Sequence, residues 1–414
     1  MQKNLKRKFA VIVLAVCWPG GLALAQGNAS PKDRAAVPSP GFQQFLQTLW
    51  PAAEQKGVSR ATFEAALSEL EPDPAVPAAS ERQAEFERPL RFYIDEASSP
   101  RRAARGRECL HAWHTELLNI EERFGVPAAI LVAAFGLESD YGRATGGKDI
   151  IRSLATLAYM RPERPVFRDE LISALVMLDK GGIHRAAMKG SWAGAMGGAQ
   201  FLPSVYLKYA VSYAPGRPPD IWDNPLDTLA SIANFLRQSG WQPGLPWGME
   251  VLLPKDFAFA SLHQSFASFG AQGVKAAAGV SFPQGEATLF LPSGAAGPAF
   301  LLAANYWVLK QYNNSDSYAL SLALLAGRIE GKPGLHGHWP EGEVFLSRTQ
   351  KTEIQRLLER LGFYHEIIDG RFGQASRDAI HDFQINAGIS PADGFARPDL
   401  LRRIGEEAER RANK

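Results

Sequence analysis

Hydrophobic and polar positions change texture along this chain. From Phe42 to about Glu330 apolar residues recur at helical spacing, punctuated by Gly and Pro. Arg107–Phe124, Pro165–Leu178 and Pro225–Gln238 each predict a helix of ordinary length. Between Trp247 and Pro292 the pattern shortens. Residues 249–253 (Met-Glu-Val-Leu-Leu) and 287–291 (Ala-Thr-Leu-Phe-Leu) predict short strands, so a small β element is expected inside a mainly helical region. Residues 331–342 are crowded with Gly and Pro and predict a linker. Beyond it the helical pattern returns. Thr349–Leu361 carries Ile354, Leu357, Leu358 and Leu361 on one face, and Gln374–Ala387 carries Ala379, Ile380 and Phe383. Pro398–Ile404 predicts a short third helix, with turns at Asp369-Gly370 and Asp393-Gly394 between the three. No solenoid repeat or heptad is present.

One run departs from amphipathic spacing. From Val126 to Leu137 there is no charge, Pro127 stands at the opening position, and the first carboxylate is Glu138. A helix that is apolar all round is a buried one. Leu131, Ala134 and Phe135 precede Glu138 by seven, four and three residues, so they share its face. Burial and the negative end of the helix dipole both favour a protonated carboxyl there. A general acid needs that state near neutral pH. A structural Glu bonded to a loop has the same pattern, and the run alone leaves both readings open.

Composition narrows the setting. Lys3, Lys6, Arg7 and Lys8 precede an apolar run from Phe9 to Trp18 and then Ala23-Leu24-Ala25, which reads as a secretory signal cleaved after Ala25. The run is too short for a membrane span. Val16 before Cys17 argues against lipoprotein anchoring, since such signals want a small residue there. Cleavage removes four positive charges, taking the formal +2 to −2, and a nearly neutral chain gives no electrostatic reason to expect nucleic acid. Cys109 is then the one remaining cysteine, so stability is expected from packing rather than from a disulfide. A soluble, exported monomer is the expectation.

Several motifs, in one order, carry a resemblance. Glu138-Ser-Asp-Tyr-Gly-Arg143, Ser153-Leu-Ala-Thr-Leu-Ala158 and Phe167-Arg-Asp-Glu-Leu171 come first. They are followed by Lys189-Gly-Ser-Trp-Ala-Gly-Ala-Met-Gly-Gly-Ala-Gln-Phe-Leu-Pro-Ser204, Asp220-Ile-Trp-Asp223, Ser231-Ile-Ala-Asn-Phe235 and Tyr312-Asn-Asn-Ser-Asp-Ser-Tyr-Ala-Leu320. Together, from about Phe42 to Ile329, they resemble the B-type lytic murein transglycosylases. Ile354–Tyr364, Asp369–Gly373 and Ala379–Gln384 resemble the small three-helix peptidoglycan-binding domain.

The resemblance implies a mainly α (α+β) protein: a lysozyme-like catalytic domain with a small β insertion, plus a C-terminal three-helix peptidoglycan-binding domain. The expected boundaries are 1–25 signal peptide, 26–40 flexible leader, 41–330 transglycosylase domain, 331–345 linker and 346–406 peptidoglycan-binding domain. It implies periplasmic cleavage of the bond between N-acetylmuramic acid and N-acetylglucosamine, leaving 1,6-anhydro ends, with Glu138 as the single catalytic residue. Ser191, Gln200, Tyr312, Asn313 and Tyr318 match groove positions, and Tyr93 matches by position alone, a packed aromatic being its alternative. Trp192 is expected to fill core. Gly190, Gly194, Gly197 and Gly198 either admit a ligand close to backbone or allow tight packing.

Ordinary glycosidases use two carboxylates. Here Asp140 falls on another helix face and Asp149 in a sequence that predicts a loop, so neither is an equal partner to Glu138. No cofactor is expected. The segment Ala214-Pro-Gly-Arg-Pro-Pro-Asp220 has too few oxygen ligands for the calcium loop of some relatives. His111 with His114, and His336 with His338, lack a third ligand for zinc. A muramidase on the same fold and a non-catalytic wall-binding protein are the alternatives. Removing residues after about 340 is expected to weaken binding to insoluble sacculi and to spare cleavage of soluble fragments.

Overall fold

The computed structural model describes residues 40–77, 90–342 and 345–413. The expected signal peptide and nearly all of the leader lie outside the described residues. Among the described residues no helix is long and apolar enough to cross a membrane. They fall into two compact units. One takes 40–77 together with 96–240 and 322–331; the other takes 90–95, 241–321, 332–342 and 345–413.

The first unit is helical and built around Ala128–Ser139, in which every residue from Ala129 to Ser139 is buried. Pro100–Ala112, His114–Phe124 and Pro225–Gln238 pack against it. The single helix expected over 107–124 is therefore two, broken at Trp113, whose φ of −118° and ψ of 33° leave the helical region. Nothing in the spacing of polar residues marks that break. Gly125, at φ 70°, ends the second piece, and the Glu121 carboxylate then accepts from Ala128 N at 2.9 Å. An anion thus meets the positive end of the apolar helix. A two-stranded antiparallel pair, β1 (Lys148–Asp149) and β2 (Lys189–Gly190), clips the loop after this helix to a glycine-rich turn.

The second unit holds a five-stranded antiparallel sheet made of β3 (Gly248–Leu252), β4 (His263–Ser265), β5 (Lys275–Ala276), β6 (Glu286–Phe290) and β7 (Ala299–Leu302). The strand order is β4-β6-β7-β3-β5. Two of these strands were expected, each within one residue of its observed start. β7 was not: all four of its residues are buried, so it lacks the alternation that marks a half-exposed strand.

The C-terminal helices are Arg348–Arg360, Gln374–Asn386 and Pro398–Ala412. The last runs well past the expected Ile404, because Leu400, Ile404 and Ala408 continue the buried stripe with a residue too small to announce it. Two buried glutamines organise the turns. Gln355 Oε1 accepts from Asp369 N and Gly370 N at 3.1 and 2.8 Å, and Gln384 Oε1 accepts from Gly394 N at 2.8 Å. The segment expected as a linker is anchored, since the Glu250 carboxylate accepts from His336 N at 3.0 Å and Gly337 N at 2.6 Å.

Candidate active site

Glu138 sits on the last turn of the apolar helix and is 2% exposed. The chain leaves the helix through three successive left-handed residues, Asp140 (φ 48°), Tyr141 (φ 61°) and Gly142 (φ 82°). A non-glycine residue there costs on the order of 1 kcal/mol, so the surroundings must hold it. Arg105 Nη1 donates to both Asp140 carboxylate oxygens, at 2.8 and 2.7 Å. Tyr141 folds back edge-on to Phe135, its hydroxyl donating to the Arg102 carbonyl at 2.8 Å. Burial pushes the Tyr141 phenol up, so it stays neutral.

Ser139 ties this exit to the glycine-rich turn. Its hydroxyl donates to the Gly198 carbonyl at 2.9 Å and accepts from Gly142 N at 3.1 Å. On the turn, Ser191 Oγ accepts from Ala195 N at 3.0 Å while Ser191 N donates to the Ala195 carbonyl at 2.7 Å. Ser191 is thus the corner of the turn itself. Gln200, at φ 48° and 8% exposed, gives its amide hydrogens to the carbonyls of Thr145 and Gly197, at 3.0 and 2.9 Å. Of the five non-glycine residues with positive φ among the described residues, Asp140, Tyr141 and Gln200 belong to this assembly, which marks it as the strained part of the unit.

The four glycines are decided by packing. A Cβ on Gly190 would collide with the Ala195 carbonyl and one on Gly197 with that of Ile221. On Gly194 it would stand 2.6 Å from Leu154 Cδ2, and on Gly198 2.8 Å from Phe135 Cε2. Trp192, expected in the core, is only half-buried.

The neighbouring carboxylates are committed elsewhere. Asp149 caps Ile150–Met160 by accepting from Arg152 N at 3.0 Å, and it pairs with Arg185 at 3.1 Å. Glu170 and Asp227, which the sequence pattern does not single out, are also buried. Glu170 is raised by burial against the opposing hydrogen bonds from Ser204, whose hydroxyl and amide lie at 2.6 and 2.9 Å; both oxygens are occupied in holding the start of Pro203–Tyr209. Asp227 accepts from Tyr213 N, Asp220 N and Arg217 Nη2 at 2.9, 2.8 and 2.7 Å, so it folds the 212–220 loop around a guanidinium. A buried acid inside a helical stripe was the available signal for both, but it does not distinguish an anchor from an acid catalyst.

The other expected groove residues lie in the second unit. Tyr93, on Leu90–Ala97, is half-buried. Tyr312 ends Ala304–Tyr312 and stacks on Tyr318 of Asp316–Ile329, with ring centroids 6.1 Å apart and planes 13° from parallel. Between them, Asn313 Oδ1 is buried with no hydrogen-bond partner among the described residues.

A helical unit with one buried carboxyl at the mouth of an apolar helix, braced by a glycine-rich turn, is the lysozyme-like class of fold. Residues 41–327 match the family described as the transglycosylase SLT domain, and residues 347–404 match a peptidoglycan binding domain. The chain belongs to the SLT transglycosylase family. The structure is similar to that of SltB3 from Pseudomonas aeruginosa in complex with NAG-anhNAM-pentapeptide, with TM-score 0.79 and 40% identity over 88% of this chain and 99% of that one. It is also similar to the soluble lytic transglycosylase SltB1 from Pseudomonas aeruginosa, with TM-score 0.61 and 26% identity over 70% of this chain and 99% of that one. Membrane-bound lytic murein transglycosylase B of Escherichia coli (strain K12) is 32% identical over 205 residues, which are 48% of this chain and 56% of that protein. The chain thus matches little more than half the length of this curated relative.

Proposed function

We propose that this protein is a peptidoglycan lytic transglycosylase with Glu138 as its sole acid and base. The observation that carries the reading is that the carboxylates nearest Glu138 in sequence are already committed to arginines. Glu138 is buried at the helix mouth, while Asp140 and Asp149 are held by Arg105 and Arg185. A retaining or inverting hydrolase would need a second free carboxylate. Where the substrate supplies its own nucleophile, one carboxyl is enough.

Glu138, protonated, gives its proton to the oxygen linking N-acetylmuramic acid to N-acetylglucosamine, and that bond breaks. The C6 hydroxyl of the muramic residue attacks its own C1, and its proton returns to Glu138. The product carries a 1,6-anhydro end and no water is consumed. The bound fragment named for the SltB3 structure, NAG-anhNAM-pentapeptide, has this chemistry and supports the reading for the present chain.

Gln200, its amide hydrogens committed, offers Oε1 to a sugar donor. Asn313 is assigned to the same groove as Tyr312 and Tyr318, which offer stacked ring faces. Ser191 acts by holding the turn, and Tyr93 is assigned as a further sugar contact. Residues 41–330 form the catalytic domain and 346–406 the wall-binding domain. The chain works as a periplasmic monomer, exported with cleavage after Ala25 and without a lipid anchor.

Mass spectrometry of sacculi digested by the wild type and by Glu138→Gln tests the proposal. Anhydro ends, each one water lighter than a reducing end and absent with the variant, are expected. Reducing ends would make the protein a muramidase, and absence of products would make it a binding protein.

A further inference from the structure

We propose that Arg377, in the C-terminal domain, is a positioning residue for the Tyr312–Tyr318 loop, which it holds through Asp316. The inference rests on the proposed function, since it takes that loop as part of the substrate groove.

Asp316 opens the helix Asp316–Ile329, two residues before Tyr318 and three after Asn313. Its side chain is only 12% exposed. Three groups meet its carboxylate. Lys310 Nζ and the Tyr306 hydroxyl donate to Oδ1 at 2.7 and 3.1 Å, and both come from Ala304–Tyr312, the helix on the other side of the loop. Among the described residues Oδ2 is met by a single donor, Arg377 Nη1, at 2.9 Å. Burial alone would raise the Asp316 carboxyl; Arg377 and Lys310 beside it hold it down at about 2.

Arg377 is itself fixed. Its Nη2 donates to Gln374 Oε1 at 3.0 Å, and its guanidinium lies over the Phe290 ring at 4.7 Å, at the end of β6. Its side chain is 13% exposed. A planar fork held on two sides makes a directional contact that a flexible cation does not. The pair also crosses the two family matches, Asp316 falling in 41–327 and Arg377 in 347–404. Without Arg377, Oδ2 is a buried acceptor lacking its donor, and the residue between Asn313 and Tyr318 loses one of its three restraints.

This changes the expectation for truncation. Removing the C-terminal helices takes away more than affinity for sacculi, because it also removes a support of the groove loop. Cleavage of soluble glycans is then no longer spared.

The test is steady-state kinetics of the full chain on soluble glycan oligosaccharides, which need no anchoring to an insoluble wall. Arg377→Met is expected to raise KM about tenfold with kcat within about twofold, and Arg377→Lys to recover part of the loss. Asp316→Asn is expected to raise KM similarly, and the double variant to be no worse than the poorer single one. Should Arg377→Met fold poorly, Arg377→Lys and Asp316→Asn carry the cycle.

Unchanged KM in folded Arg377→Met, or additive effects of the two substitutions, would overturn the inference. Tyr318→Ala separates it from the reading beneath. If Tyr318→Ala raises KM and Arg377→Met does not, only the positioning role fails. If Tyr318→Ala leaves KM unchanged, the groove assignment fails and the positioning role with it.

Discussion

Tyr141 packs against Gly136, so close that a Cβ on the glycine would stand 2.5 Å from Tyr141 Cζ. Gly136 is two residues before Glu138, in the last turn of the buried helix. The missing side chain is what lets the strained exit fold back and close over the helix. Gly136→Ala adds helix propensity but must displace a ring pinned by its hydroxyl to Arg102. Overpacking costs about 1–3 kcal/mol, so the melting temperature should fall by several degrees, about 3–10 °C. Activity should fall with it. A variant as stable and as active as the wild type would show that the exit can relax, contrary to this packing.

How much of this could be read beforehand follows from what each residue depends on. The apolar run ending in Glu138 was legible because burial on all sides leaves a signature independent of tertiary detail. The glycines at 190, 194, 197 and 198 were visible but ambiguous, since ligand approach and backbone crowding demand the same missing side chain. Only the facing atoms, the Ala195 and Ile221 carbonyls and the side chains of Leu154 and Phe135, decide it. Arg105 with Asp140, and Arg377 with Asp316, are 35 and 61 residues apart, and spacing carries no information about such pairs.

The Arg105–Asp140 pair bears on the single-carboxylate mechanism. Both side chains are about one-fifth exposed or a little more, so the pair contributes under about 1 kcal/mol after solvent screening. Asp140→Asn keeps the shape and tolerates the left-handed backbone. It should retain activity within about tenfold of wild type, whereas Glu138→Gln should lose about a hundredfold or more. Comparable losses in both variants, measured as kcat/KM on the same glycan, would make Asp140 a second catalytic carboxylate.

Cys109 is expected to be inert. Burial, aided by the neighbouring Glu108 charge, pushes its thiol up to about 11. At neutral pH the nucleophilic thiolate is then a minute fraction. Iodoacetamide should label the Cys109 peptide slowly in the native protein and rapidly in denaturant. Rapid native labelling, read by peptide mass spectrometry, would contradict this.

The pair formed by His263 and Asp378, whose Nε2 and Oδ1 lie 2.8 Å apart, ties strand β4 to the helix Gln374–Asn386. The hydrogen bond to Asp378 raises His263 above its ordinary 6.5, against a smaller opposing effect of burial. Asp378 goes the other way: burial would raise it, but the bonds from His263 and Gln374 bring it below its ordinary 3.8. The His263 contribution is fully present below its unfolded value and is lost as pH rises through the raised folded value. The Asp378 contribution is present above its own unfolded value and is lost as pH falls through the lowered one. The pair therefore supports the fold from about pH 4 to 6.5 and weakens as the solution turns alkaline. With side chains 49% and 38% exposed, the effect stays below about 1 kcal/mol. Between pH 6 and 9 the melting temperature of the wild type should fall by about 1–3 °C more than that of His263→Gln. Parallel curves for the two proteins would mean that the imidazolium contributes nothing to holding these elements together.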